Sequence, residues 1–252
     1  MKRRNTPNGF GMTEVVVLLF LIILAVGLLM PLLGSARRTA RSMANNTQIR
    51  GIHQGLVNYA QSNKIAGNDG YFPGLDASGN VVPDGPLTGH SGDGTQPAAR
   101  LWIMVDGKYF TPDYMIQPAD TRVVELTFSH QSTPAIAPVN FSCALQSIAG
   151  HPDERSEWSE TLNTAATVLG DRAIGTGPAD ISSVWTEPGS GDWRGVVARN
   201  DNSTGFETDY VFTDTQYGRE PANPIDDIFE DDPAAADAFL VHEDATTAYS
   251  KE

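Results

Sequence analysis

Four aspartates and an asparagine gather late in the chain: Asp192, Asp201, Asn202, Asp209 and Asp214. Calcium takes six to eight oxygens at about 2.4 Å, from carboxylates, amides and backbone carbonyls. Asp201, Asp209 and Asp214 are therefore candidate calcium ligands in loops beside the late strands. Their spacing is not that of an EF-hand, and the plainer reading is solvated turn residues of an acidic domain. The histidines His53, His90, His130, His151 and His242 lack metal-ligand spacing. No Gly-x-Ser-x-Gly elbow occurs. No catalytic set is predicted, and the chain does not read as an enzyme. Trp185, Trp193 and Tyr210 could form a sugar-binding face, with core packing the simpler expectation. The single cysteine, Cys143, excludes an intramolecular disulfide and reads as a small buried side chain.

One further carboxylate stands apart. Glu14 sits at the edge of an apolar run, residues 15–33, that holds no charge. At about 1.5 Å per helical residue the run reaches roughly 28 Å, against a hydrocarbon core of about 30 Å. An unpaired carboxylate in such surroundings costs on the order of 3 kcal/mol. A plain anchor has no use for it; a helix that later meets a positive partner does. Lys2, Arg3 and Arg4 precede the run and favour a cytoplasmic N-terminus, while Arg37, Arg38 and Arg41 pull the other way. The net charge of −14 over 252 residues argues against a nucleic-acid-binding surface. The length suits one membrane helix and one globular domain of about 200 residues.

These residues need elements to hold them. Ala36, Ala40, Met43, Ile49, Ile52, Leu56, Tyr59 and Ala60 recur mostly at three- and four-residue steps, opposite Arg37, Arg38, Arg41, Gln48, Arg50 and Gln54. One helix is predicted over 10–63, apolar all round at first and amphipathic afterwards. Pro31 should kink or loosen it, with Gly27 and Gly34 beside it. Residues 66–97 carry turn signals and read as a surface loop. A short helix is predicted over 98–104. Strands are predicted over 122–129, 139–148, 165–170, 193–199 and 206–213. Residues 226–252 read as an acidic tail, with a short helix from Asp232-Pro233 to Leu240 as the alternative. A long helix followed by antiparallel strands is an α+β pattern.

The N-terminal residues resemble the signal of type IV pilins and type II secretion pseudopilins. There a basic leader ends in Gly, the next residue is Phe, Glu stands fifth after the cut, and an uncharged run follows. Here Gly9, Phe10 and Glu14 take those places, and Pro31 lies where many type IV pilins carry Pro. Gly11-Met12-Thr13 departs mildly from the family pattern. Later motifs resemble a pseudopilin-like head: Tyr71-Phe72-Pro73, Pro118-Ala119-Asp120, Ser142-Cys143-Ala144-Leu145-Gln146 and Asp171-Arg172. Gln117 and Cys143 depart from residues common there, and the family's C-terminal ending is missing.

The resemblance implies a leader over 1–9, cleavage between Gly9 and Phe10, and N-methylation of Phe10. It implies a membrane and filament-core helix over 10–34, its amphipathic continuation over 35–63, a head over 64–225 and the tail over 226–252. Glu14 and Pro31 become assembly residues. The implied partners are a prepilin peptidase, identical or related subunits and an inner-membrane assembly platform, with no nucleic acid. The late-loop calcium site of major pseudopilins is the analogy behind the calcium expectation. The implied function is a filament subunit in the inner membrane, its head periplasmic or extracellular. The rival is a membrane-anchored periplasmic binding module or enzyme.

Overall fold

The computed structural model describes residues 11–65, 70–82, 93–127, 133–150, 154–218, 221–232 and 237–250. Gly9, Phe10, His90, His130 and His151 lie outside the described residues. The chain divides into two units, Met1–Arg41 and Ser42–Glu252.

The first helix, α1 (Met12–Ile65), belongs to both. It starts two residues later than the sequence predicts and ends two later. The Glu14 carboxylate accepts a hydrogen bond from the Gly11 amide at 2.9 Å, inside the first turn. A negative group there satisfies an orphan donor and complements the helix dipole. In the first unit the large apolar side chains stand outward, from Met12 at 88% exposed to Val26 at 45%. The α-helical assignment continues unbroken through Pro31. Among the described residues this is the one helix long and apolar enough to cross a membrane, with a mean hydropathy of 3.2 over its most apolar window.

In the second unit α1 becomes amphipathic. Asn45, Ile49, Ile52, His53, Leu56 and Ala60 are buried, while Arg50 and Gln54 are exposed. The predicted stripe is too long at its start: Ala36, Ala40 and Met43 are exposed. Each fully buried Ile or Leu is worth about 1.5–3 kcal/mol, so Ile49, Ile52 and Leu56 carry much of this attachment.

The stripe joins one layer over a five-stranded antiparallel sheet. Its strands are β1 (Cys143–Gln146), β2 (Thr167–Asp171), β4 (Gly195–Arg199), β5 (Thr204–Glu207) and β8 (Leu240–Val241), in the order β5-β4-β2-β1-β8. Successive strand residues face opposite sides. Cys143, Leu145, Val196 and Ala198 join the α1 layer, and Ala144 and Val197 join a second core with Trp193, Phe229 and Phe239. The architecture is α+β. Two small ladders complete it: β3 (Ala173–Ile174) runs parallel to β9 (Tyr249–Ser250), and β6 (Val211–Phe212) antiparallel to β7 (Asp226–Asp227). The helix predicted over 98–104 is α2 (Pro97–Asp106), opened by proline in its first turn.

Several expectations change. The described residues within 226–252 do not form a tail: β7, β8 and β9 arise there, and β8 edges the main sheet. Phe229, Phe239, Leu240 and Val241 are buried, so apolar residues between the acids decide the fold. Residues 237–239 of the alternative helix are not helical, and 233–236 lie outside the described residues. The described residues 122–127 form no strand. Val124 bonds Val139 at 2.9 Å and the Asn140 side chain at 2.8 Å, beside a 3₁₀ turn (Pro138–Asn140) whose proline lacks an amide proton. The 206–213 prediction splits into β5 and β6 around Asp209. Part of the 66–97 loop is core: Phe72, Pro73, Gly74 and Leu75 are buried.

Candidate functional site

The most connected site is a buried carboxylate. Asp171 ends β2, and its partners come from four places in the chain. The Asn45 amide of α1 donates to both oxygens, at 2.8 and 2.9 Å. Gln117 donates at 3.1 Å, the Trp185 indole at 3.1 Å and the Val196 amide of β4 at 2.8 Å. Burial pushes its pKa up to about 6, while the Asn45 amide holds it down. At neutral pH the group is a carboxylate, and every neighbour named here is a donor.

Arg172, the next residue, turns to another carboxylate. It donates to Asp120 at 2.7 Å, and Arg122 approaches the other Asp120 oxygen at 3.5 Å. Burial lowers the Arg172 pKa and Asp120 raises it back. The Ser142 hydroxyl accepts from the Gln117 amide at 3.2 Å, and the Arg172 amide donates to the Ser142 carbonyl at 3.1 Å. Three of the four later motifs, around Asp120, Ser142 and Asp171, thus meet at one hub. The fourth forms a second one. Phe72 meets Trp158 edge-on at 5.4 Å, the Trp158 indole donates to the Pro73 carbonyl at 2.8 Å, and the Arg100 guanidinium lies 4.6 Å over Trp158. Arg100 is fully buried and donates to the Gln146 and Thr95 carbonyls at 2.7 and 3.2 Å. Burial brings its pKa down to about 9, still charged at neutral pH.

The proposed calcium ligands do not converge. Asp201 accepts from the Ser203 amide at 2.9 Å and Asp209 from the Val211 amide at 3.1 Å. Asp192 pairs with Arg194 at 3.0 Å, and Asp214 adopts a left-handed turn with φ 58°. Strand β5 separates Asp201 from Asp209, at about 3.3 Å per residue, farther than one ion spans. Among the described residues no group of three His, Cys, Asp or Glu could hold a metal ion. These aspartates build turns.

The other candidates resolve as packing. Trp193 is buried edge-on against Phe229 at 5.2 Å, Trp185 meets Phe206 at 5.5 Å, and Tyr210 sits beside the second core. Burial and the neighbouring Asp171 push the Cys143 thiol up to about 12, so it stays protonated. His242 bonds the Phe141 carbonyl at 3.0 Å, and burial lowers its pKa to about 3. His53 bonds the Asn202 amide oxygen at 3.1 Å, its pKa lowered by burial. Neither bonds a hydroxyl, thiol or carboxylate among the described residues.

Sequence reasoning missed Asn45, Gln117 and the pair Asp226 and Asp237. An amide in the α1 stripe, four residues before Ile49, was the available signal for Asn45. Asp226 and Asp237 are 1% and 2% exposed. Burial raises both pKa values, that of Asp237 to about 8, with the Asp226 carboxylate as the next cause. Both therefore hold a proton more readily than an exposed aspartate does.

No family model, curated protein or solved structure matches the chain.

Proposed function

We propose that this chain is a structural subunit, pilin-like or pseudopilin-like, cut by a prepilin peptidase, held in the inner membrane with its N-terminus cytoplasmic, and polymerised into a filament of a secretion or pilus-like system. One observation carries the reading. A single continuous helix, α1, leaves its apolar first part bare and buries its later part in a head core held by the Asp171 hub. A bare apolar helix needs lipid first and other copies later.

The physics of assembly follows from the charges. Cleavage before Phe10 would leave a positive amine at the helix start. Glu14 of a neighbouring copy neutralises it in apolar surroundings, where the pair is better than either charge alone and fixes the axial register. The apolar helices then bury one another. The assembly platform and related subunits supply the context, and no reaction is assigned to this chain.

The anchored periplasmic module remains the second reading, favoured by one specific observation. Glu14 bonds the Gly11 amide within its own helix, so the carboxylate has a capping use even in a plain anchor. N-terminal sequencing of the membrane-extracted protein separates the two. The filament subunit begins at a methylated Phe10. An intact Met1, or a start near Ser35, overturns the filament reading.

A further inference from the structure

A cleft of about 440 Å³ opens on the second core layer of the head. Phe229 and Phe239 lie buried at its floor, the half-buried Tyr249 stands in its wall, and Glu230 and Asp231 stand exposed at its rim. Among the described residues no lysine, arginine or histidine lines it. Among the described residues, too, no cation pairs with Asp227, Glu230 or Asp231. These carboxylates crowd one another. After burial, Glu230 and Asp226 are what push the Asp227 pKa up, to about 6. A half-buried tyrosine ring beside uncompensated carboxylates suits a guanidinium, which stacks on rings and forks onto carboxylates.

The chain carries such groups in the same uncompensated condition. Arg37, Arg38 and Arg41 are exposed on α1, and none holds an ion pair among the described residues. Arg37 and Arg41 are one turn apart, Arg38 and Arg41 three residues apart, so all three crowd one stretch of helix surface. The cleft belongs to the layer on the opposite side of the sheet from the buried stripe Ile49, Ile52, Leu56 and Ala60. Among the described residues none of α1 belongs to that layer.

We propose that the cleft between Phe239, Tyr249, Glu230 and Asp231 is a docking site for a second copy of this chain, receiving an arginine from its Arg37, Arg38 and Arg41 cluster. The inference rests on the filament reading, because only assembly brings the two surfaces together. Each charged surface completes the other, so the contact selects the head-to-helix orientation of neighbours as well as holding them. It weakens as salt rises, because both partners are solvent-exposed before docking.

The test uses two tagged full-length forms, expressed together in the native membrane, one carrying Arg38→Cys and the other Asp231→Cys. Oxidation should give a mixed disulfide dimer, and a Lys108→Cys partner should not, since Lys108 is exposed beside Phe110 of the α1 layer. Glu230→Arg with Asp231→Arg in one copy should abolish contact-dependent association of heads, and Arg37→Glu with Arg41→Glu in the other should restore it. A Leu24→Cys pair reports on the apolar helices separately. If Leu24 crosslinks while the head pair gives no dimer, this inference is overturned and the filament reading stands. If neither pair crosslinks beside a complete assembly machine, both fall. If the charge swap fails to restore association, the contact is not electrostatic and the assignment is wrong.

Discussion

The Asn45 side chain donates to both oxygens of Asp171 across 126 positions of sequence, at 2.8 and 2.9 Å. This contact ties α1 to β2, and through Val196, Gln117 and Trp185 to β4 and two loops. Removing the Asn45 amide should cost about 1.5–3 kcal/mol, the range for a hydrogen bond to a charged group. Asn45→Ala should therefore lower the melting temperature of the full-length protein in detergent. Asn45→Asp should do more damage at pH 8 than at pH 5, because it faces one carboxylate with another. Asp171→Ala should be the worst, leaving four donors without their acceptor. An Asn45→Ala protein that melts with the wild type would show the hub is incidental.

How much of this was legible in sequence depends on which force placed each residue. The apolar run 15–33 was legible from its uncharged length, and the stripe Ile49, Ile52, Leu56 and Ala60 from periodicity, because burial in the head core selects the stripe directly. The late strands β2 and β4 were visible for the same reason. Asp120, Ser142 and Asp171 were legible as ordered motifs, though nothing in their spacing says they touch. Asp201, Asp209 and Asp214 misled, because an aspartate that caps its own turn has the composition of one that binds an ion. The C-terminal acids hid β8, whose two residues Leu240 and Val241 are too few to form a period. Gln117 and Asp237 were out of reach, since their partners lie 54 and 11 positions away.

The Asp226 and Asp237 pair predicts a pH dependence. An aspartate ordinarily titrates near 3.9. Both values are raised in the fold, so the folded protein holds the proton more tightly than the unfolded chain. The stabilisation is complete below about pH 4 and is lost as pH rises through the folded value, about 8 for Asp237. Asp237→Asn cannot ionise and should melt higher than the wild type at pH 8 and close to it at pH 4. A tenfold difference in proton affinity is about 1.4 kcal/mol, or roughly 3–5 °C for a domain of this size. A difference that does not change with pH would remove the buried acids' raised proton affinity from the account.

The approach of Gly94 to Gly74 predicts a steric failure. A Cβ on Gly94 would sit 2.2 Å from the Gly74 carbonyl oxygen, and Gly74 itself has φ 101°. The obstacle is backbone, so no side-chain rotation relieves it. Gly94→Ala should cost about 1–3 kcal/mol. Gly177→Ala, which meets nothing within 4 Å, should be close to neutral. Equal melting of the two variants would mean that the 74–82 and 93–96 segments move apart freely.

Glu14 carries two separable properties, and substitution can divide them. Its Oε2 accepts from the Gly11 amide at 2.9 Å, which any side-chain oxygen at that reach can do. Its negative charge is what a neighbour's Phe10 amine would need. Glu14→Gln keeps an acceptor oxygen at the same reach and removes the charge. Glu14→Ala removes both. In a plain anchor, Gln should behave as the wild type and Ala should only fray the first turn, costing about 1 kcal/mol or less. In a filament subunit, both variants should insert and be cut at Gly9, since neither step uses the charge, and both should lose co-assembly measured by crosslinking between copies. Glu14→Asp should fall between, keeping the charge on a shorter stem. The comparison that decides is Gln against wild type beside a complete assembly machine. Normal assembly of Glu14→Gln would leave the carboxylate as a helix cap, and the charge-pairing mechanism would have no remaining support.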